Sequence, residues 1–159
     1  MRLFVIPALL LLVGTAVAAD DVSAFNIPDA VATCLKPVRG QYKISGRINP
    51  FYLRGDFDGD GRPDYAVLIT NSKGERGVAI CRAASRAPEL IGAGVVLNKL
   101  TDFDFDAWMV FPKGSVERGV GEGAPPKLLG DAVSIIWSES ASALLYWDGR
   151  KFHWYQQGD

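Results

Sequence analysis

The spacing of apolar positions near the start of the chain predicts one short helix. Within residues 28–35, Val31, Cys34 and Leu35 recur at i, i+3 and i+4, which places them on one helical face. Lys36-Pro37 follows and ends the helix, because proline cannot continue it. The rest of the chain predicts strands and the turns and loops that join them.

The middle of the chain predicts a buried hairpin. Residues 65–70 are almost continuously apolar, as in a central strand that is buried on both faces. Residues 77–81 predict its antiparallel partner, across a polar turn at 71–76. Before this hairpin, residues 41–54 predict two short strands or one broken strand, and after it residues 90–97 predict a further strand.

Strict alternation returns in residues 101–106. Asp102, Asp104 and Asp106 point to one side and the two intervening phenylalanines to the other, so we expect a strand that continues through residues 107–111. Its charged side favours an edge strand, since edge charges discourage pairing with other chains. The following residues, 112–130, are rich in glycine and proline, and such a long loop is either functional or disordered.

The C-terminal segment predicts strands at 132–137 and 142–147 and a two-residue turn, Asp148-Gly149, into residues 150–156. This turn pairs Trp147 with Arg150 and Leu145 with Phe152. One face is then a core face, formed by Ala143, Leu145, Trp147, Phe152 and Trp154. The other face is amphipathic and meets solvent, a partner, or the underside of the helix; it carries Ser142, Leu144, Tyr146, Lys151, His153 and Tyr155.

Together these elements predict an α+β fold, with a mostly antiparallel sheet of about six strands and the short N-terminal helix packed on it. The chain has only two cysteines, Cys34 and Cys81. In an oxidising compartment such a pair predicts one disulfide, which would staple the helix to the sheet. Two free buried thiols are the alternative.

The N-terminus predicts export. Arg2 precedes an apolar run at residues 3–13, and small residues at 14–19 form a signal-peptide cleavage site. We expect residues 1–19 to be removed after Ala18 or Ala19, leaving one domain at 20–159 that is secreted or periplasmic and has no membrane span. An uncleaved anchor is the alternative. The formal net charge of −1, without a Lys/Arg cluster, argues against nucleic-acid binding.

An aspartate-rich loop carries the strongest chemical signal. Asp56, Asp58, Asp60 and Asp64 stand at positions 1, 3, 5 and 9 of this loop, with the carbonyl of Arg62 at position 7. Oxygen donors at this spacing are what Ca²⁺ requires. The ion would be structural, or would also touch a ligand. A metal-free network of Asx turns is the remaining alternative, because aspartate and glycine also turn chains unaided.

Residues 54–69 resemble the calcium loop of FG-GAP/VCBS-type repeats, which occur in integrin-like propellers and many secreted bacterial proteins. The resemblance rests on the D-x-D-x-D-G-x-x-D core, and it implies that Asp56, Asp58, Asp60, the Arg62 carbonyl and Asp64 are the ligands of Ca²⁺. The family repeats this unit to close a propeller, whereas this chain has it once. Propeller architecture is therefore not expected.

No catalytic set stands out in the sequence. His153 is the only histidine and no nucleophile-elbow pattern surrounds the serines. We therefore expect an exported, non-enzymatic binding or accessory module stabilised by Ca²⁺, such as an inhibitor or immunity-type partner of a secreted protein. Its protein or glycan partner in the cell envelope would meet Tyr146, Lys151, His153 and Tyr155. The alternative is a small cell-wall or glycan hydrolase that uses Asp104 or Asp106 with Glu117 or Glu122.

Overall fold

The computed structural model describes residues 26–120 and 123–158, which form one α-helix and nine strands in two antiparallel sheets. The predicted signal peptide lies outside these residues. The elements in chain order are α1 (Asp29–Leu35), β1 (Tyr42–Ile44), β2 (Tyr52–Gly55), β3 (Asp64–Asn71), β4 (Arg76–Cys81), β5 (Glu89–Gly92), β6 (Ala107–Phe111), β7 (Ala132–Trp137), β8 (Ala141–Trp147) and β9 (Phe152–Gly158).

The first sheet is built around β3. Strand β4 pairs along one side of β3, and β5 follows beyond β4. The other side of β3 is shared end to end by β1 and β2, which pair with its C-terminal and N-terminal halves respectively. The prediction of two short strands within residues 41–54 is therefore confirmed, as is the central hairpin of β3 and β4.

Strand β3 is buried on both faces, as the apolar run predicts. Ala66 and Leu68 face the second sheet, while Val67 and Ile69 face helix α1. The predicted disulfide is present: Cys34 of α1 is bonded to Cys81 at the end of β4. The helix is thus stapled to the outer face of the first sheet.

The second sheet is a simple meander in the order β6-β7-β8-β9. It packs face to face on the first sheet, so the fold is a sandwich and its strands outnumber the predicted six. The two sheets share one core, whose buried members are Leu53, Phe57, Ala66, Leu68, Val78, Ile80, Ile91, Phe103, Phe105, Trp108, Val133, Ile135, Leu145, Trp147 and Phe152. The chain leaves the first sheet after β5 and begins the second at β6.

The segment between the sheets corrects one prediction. Phe103 and Phe105 are buried and Asp104 is exposed, so the alternation of sides is confirmed. Residues 102–105 are not a strand, however, and form no sheet edge. Two arginines of the first sheet region hold this segment instead: Arg76 donates to Asp102 through its backbone N–H and its guanidinium, and Arg47 donates to the Phe105 carbonyl.

The register of the C-terminal hairpin also differs from the prediction. Trp147 pairs with Phe152, not Arg150, because the connection has four residues. The Asp148 carboxylate accepts hydrogen bonds from the N–H groups of Arg150 and Lys151, at 2.7 and 2.9 Å, and so turns the chain later than Asp148-Gly149 alone would. The register moves by two residues, so the core face is the predicted one.

The loop between β6 and β7, described at residues 112–120 and 123–131 and called the covering loop, lies on the outer face of the second sheet. Val116 and Leu128, from its two ends, are buried there against Leu144 and Tyr155. The amphipathic face of the C-terminal hairpin therefore packs against this loop. It does not meet the helix, because helix α1 packs on the other sheet. In the described parts of the chain, no helix has both the length and the apolar character needed to cross a membrane.

Candidate metal centre and partner face

The aspartate loop joins β2 to β3 and lies against the start of β7. The Asp131 N–H donates to the Asp56 carbonyl at 2.7 Å, and the Asp56 N–H donates to Asp131 Oδ2 at 3.0 Å. The backbones are so close that a Cβ on Gly130 would lie 2.1 Å from the Asp56 carbonyl oxygen. The loop therefore joins the two sheets at one corner of the sandwich.

Three of the four predicted carboxylates converge. Asp56, Asp58 and Asp64 each offer an oxygen, and these oxygens lie within 4.8 Å of one another. Asp60 is not in this group. Its carboxylate accepts hydrogen bonds from the backbone N–H and the guanidinium of Arg62. These hydrogen bonds lower the pKa of Asp60.

Backbone N–H groups hold the converging carboxylates in place. Asp56 accepts from Gly59 and Gly61 at 2.9 and 3.0 Å. Asp64 is fully buried and accepts from Phe57, Asp58 and Ala83. Burial raises the pKa of the Asp64 carboxyl, against the lowering effect of the bond from Ala83. Such a network is common to a metal-free Asx-turn loop and to a loop that wraps an ion.

Arg82 is a member of the site that sequence reasoning missed. Its guanidinium Nη1 lies 3.4 Å from Asp58 Oδ2, and the Asp58 side chain is almost fully buried. Its place in the sequence could have indicated this contact, because Arg82 directly follows Cys81 at the end of β4, the strand that pairs with β3. Arg82 and Ala83 therefore bring the end of β4 into the aspartate loop.

The donor set fits a divalent, oxygen-seeking cation. Four carboxylates stand in the loop against the guanidiniums of Arg62 and Arg82, so negative charge is in excess. One Ca²⁺ would compensate this excess, and clustered carboxylate oxygens are the ligands that it prefers. Asp56, Asp58 and Asp64 are the residues that would hold it.

The predicted partner face is only partly open. Lys151 is exposed, whereas Tyr155 is 9% exposed and lies beneath the covering loop, where its hydroxyl accepts the Gly119 N–H at 3.0 Å. His153 bonds to Asp148 through Nε2 at 2.7 Å, and its ring stacks on Tyr146. Burial and the Asp148 carboxylate raise the pKa of Tyr146.

The two aspartates of the hydrolase alternative are engaged by other residues. Asp104 forms ion pairs with Arg47 and Arg76, and Asp106 accepts the Ser138 N–H. The Glu117 backbone is held to β9 by a hydrogen bond from Gln157. Glu122 lies outside the described residues.

Comparison of the chain with known protein families, with curated proteins and with solved structures found no match.

Proposed function

We propose that the protein is an exported, non-enzymatic binding or accessory module of the cell envelope, stabilised by one Ca²⁺ in the loop between β2 and β3. In this role it would act as an inhibitor or immunity-type partner of another secreted protein. The disulfide indicates an oxidising, extracellular or periplasmic setting. The signal peptide at residues 1–19 would deliver the chain there.

The observation that carries the proposal is the anchored loop on the second sheet. The loop has two arms, each anchored by one buried side chain, Val116 in the first and Leu128 in the second. Between them, the Gly119 N–H donates to the Tyr155 hydroxyl. Most of the other described residues of the loop are exposed. A long surface loop fixed to a rigid β-scaffold is the usual way in which small domains present a binding surface.

The ion would serve the scaffold and not a reaction. The carboxylates of Asp56, Asp58 and Asp64 converge beside the contact of Asp56 with Asp131, which joins the two sheets. Neutralising these charges would stabilise that junction. The resemblance of residues 54–69 to the calcium loop of FG-GAP/VCBS-type repeats supports this assignment.

Thermal unfolding with and without calcium tests the metal. We expect chelator to lower the midpoint by several degrees, because an ion at about 100 times its Kd adds about 2.7 kcal/mol to the free energy of unfolding. Asp56→Asn should abolish the difference, and Asp29→Asn, in α1, should retain it. An unchanged midpoint on chelation would remove calcium from the proposal.

Affinity capture tests the binding role. The mature chain is immobilised with calcium and exposed to envelope extract, beside a variant with two exposed loop changes, Ser115→Arg and Arg118→Glu. We expect a partner that the wild type and Lys73→Glu retain and the loop variant loses. Recovery of no loop-dependent partner would contradict the proposal, and a peptidoglycan-clearing activity lost in Asp104→Asn would replace it with the hydrolase.

A further inference from the structure

The covering loop contains an open cleft between its two arms. Residues 113–116 form one wall and residues 125–128 the other, around a volume of about 480 Å³. The apolar members of its lining include Val116 and Leu128, which are 9% and 5% exposed. Their side chains are fixed from below by Leu144 and Tyr155 of the second sheet.

The sandwich holds the first arm by two hydrogen bonds and the second arm through the buried side chain of Leu128. The Lys113 N–H donates to Asp131 Oδ1 at 2.9 Å, and the Gly119 N–H donates to the Tyr155 hydroxyl. On the other wall, Pro125 and Pro126 restrict the backbone, because proline fixes φ. A cleft ordered in this way loses little conformational freedom when a ligand binds.

The cleft lining is positively charged, which favours a negatively charged ligand. Each arm contributes one lysine to the lining, Lys113 and Lys127, and both are exposed. The eight lining residues include no carboxylate. The nearby carboxylate of Asp131 is occupied by the N–H groups of Lys113 and Asp56. The cleft thus combines two cations with an apolar floor.

We propose that this cleft binds an acidic, extended segment of a partner protein. Its carboxylates would pair with Lys113 and Lys127, and an apolar side chain between them would pack on Val116 and Leu128. Neighbouring side chains of an extended peptide point to opposite sides, so an apolar side chain can face the floor while the carboxylates on either side of it face the exposed lysines. The inference rests on the proposed function and names the class of partner that the loop recognises.

The probe is a short peptide, acetyl-Glu-Leu-Glu-Leu-Glu-amide, titrated into the labelled mature protein at low salt and followed by NMR. We expect shifts at the methyl groups of Val116 and Leu128. The matched peptide with Gln for Glu should bind about 10-fold more weakly, since two ion pairs are lost. Raising the salt should weaken the Glu peptide and leave the Gln peptide almost unchanged.

Charge reversal assigns the binding to the cleft. Lys113→Glu with Lys127→Glu should weaken the Glu peptide about 10-fold or more. The control is Lys73→Glu with Lys99→Glu, which changes the net charge equally at exposed lysines outside the cleft lining. Equal losses in both variants, shifts outside the cleft, or tighter binding of a polygalacturonate oligomer than of the peptide would each overturn the inference. If the peptide fails while affinity capture still yields a loop-dependent partner, only the cleft inference is lost.

Discussion

The guanidinium carbon of Arg82 lies 4.1 Å from the centroid of the Trp147 indole ring. Arg82 therefore stands between an aromatic side chain of the central core and the carboxylate of Asp58. Stacking on the indole fixes the arginine, because a planar cation is attracted to the face of the ring. One side chain thus connects the aspartate loop to the second sheet.

Arg82→Gln should strengthen calcium binding and weaken the metal-free protein. The guanidinium repels an ion that approaches Asp58, so its removal should lower the Kd for Ca²⁺ by about 3- to 10-fold. Without the ion, Asp58 would lose its counter-charge and the melting midpoint should fall. Calorimetric titration of chelator-treated protein measures the affinity, and tryptophan emission reports the loss of the contact with Trp147.

Arg62→Gln is the matched control for that experiment. Arg62 binds Asp60 in the same loop, so its removal should also lower the Kd for Ca²⁺. It should leave the tryptophan emission unchanged, because Trp147 is contacted by Arg82. Unaltered or weaker calcium binding in Arg82→Gln would contradict the proposed competition.

Gly59→Ala should destabilise the protein more than Gly61→Ala. Both glycines have a positive φ, +79° and +81°. A Cβ at Gly59 would also lie 2.3 Å from the Leu129 carbonyl oxygen, whereas one at Gly61 meets no atom within 4 Å. We expect losses of about 2–4 and about 1–2 kcal/mol in the free energy of unfolding by urea. Equal losses would show that the loop does not join the sheets as tightly as described.

Tyr155→Phe should release the covering loop without disturbing the sheets. It removes the acceptor of the Gly119 N–H and should cost about 1 kcal/mol. Amide hydrogen exchange at Gly119 should quicken, and proteases should cut residues 112–130 sooner. Tyr146→Phe is the control, since it leaves the Gly119 hydrogen bond in place. Unchanged exchange at Gly119 in the Tyr155 variant would be the contrary result.

Replacing both cysteines by serine should lower the free energy of unfolding by about 4 kcal/mol. The bridge joins residues 47 apart, and releasing a loop of this length adds that much freedom to the unfolded chain. The reduced wild type should behave like the double variant in urea denaturation. A variant as stable as the oxidised protein would show that helix α1 is held by packing alone.

Acid should remove the contribution of Asp148 to the C-terminal hairpin. Hydrogen bonds from the N–H groups of Lys151 and Arg150, with His153 adding to them, lower the pKa of Asp148 to about 2. A carboxyl whose pKa is lower in the folded state stabilises the fold above its unfolded pKa, and that gain is lost as the pH falls through the folded value. The stability difference between wild type and Asp148→Asn should be present at pH 5 and shrink towards pH 2. A difference that does not change with pH would contradict this assignment.

Local patterns predicted the local elements well. The apolar face of Val31, Cys34 and Leu35 predicted helix α1 and its attachment through Cys81, and both are present. The alternation around Phe103 predicted which side chains are buried. These features depend on neighbouring residues alone, so the sequence was sufficient for them.

The division into two sheets was not predictable in this way. It depends on distant contacts, such as those of Arg76 with Asp102, which keep residues 102–105 out of a ladder. The predicted register of the C-terminal hairpin was wrong for a related reason. The Asp148 carboxylate accepts hydrogen bonds from two N–H groups, and the Asp148-Gly149 pair in the sequence does not indicate this. In the aspartate loop, the spacing predicted four carboxylates around one ion, of which three converge. The contact of Arg82 with Asp58 was not predictable from the loop, because Arg82 follows another strand.

Three consecutive residues link the disulfide to the aspartate loop. Cys81 carries the disulfide, Arg82 reaches Asp58, and the Ala83 N–H binds Asp64 at 2.7 Å. The residue that carries the covalent link to α1 is thus the immediate neighbour of two residues that contact carboxylates of the loop. Reducing the disulfide should therefore weaken the proposed binding of Ca²⁺, because the end of β4 would hold Asp58 and Asp64 less rigidly.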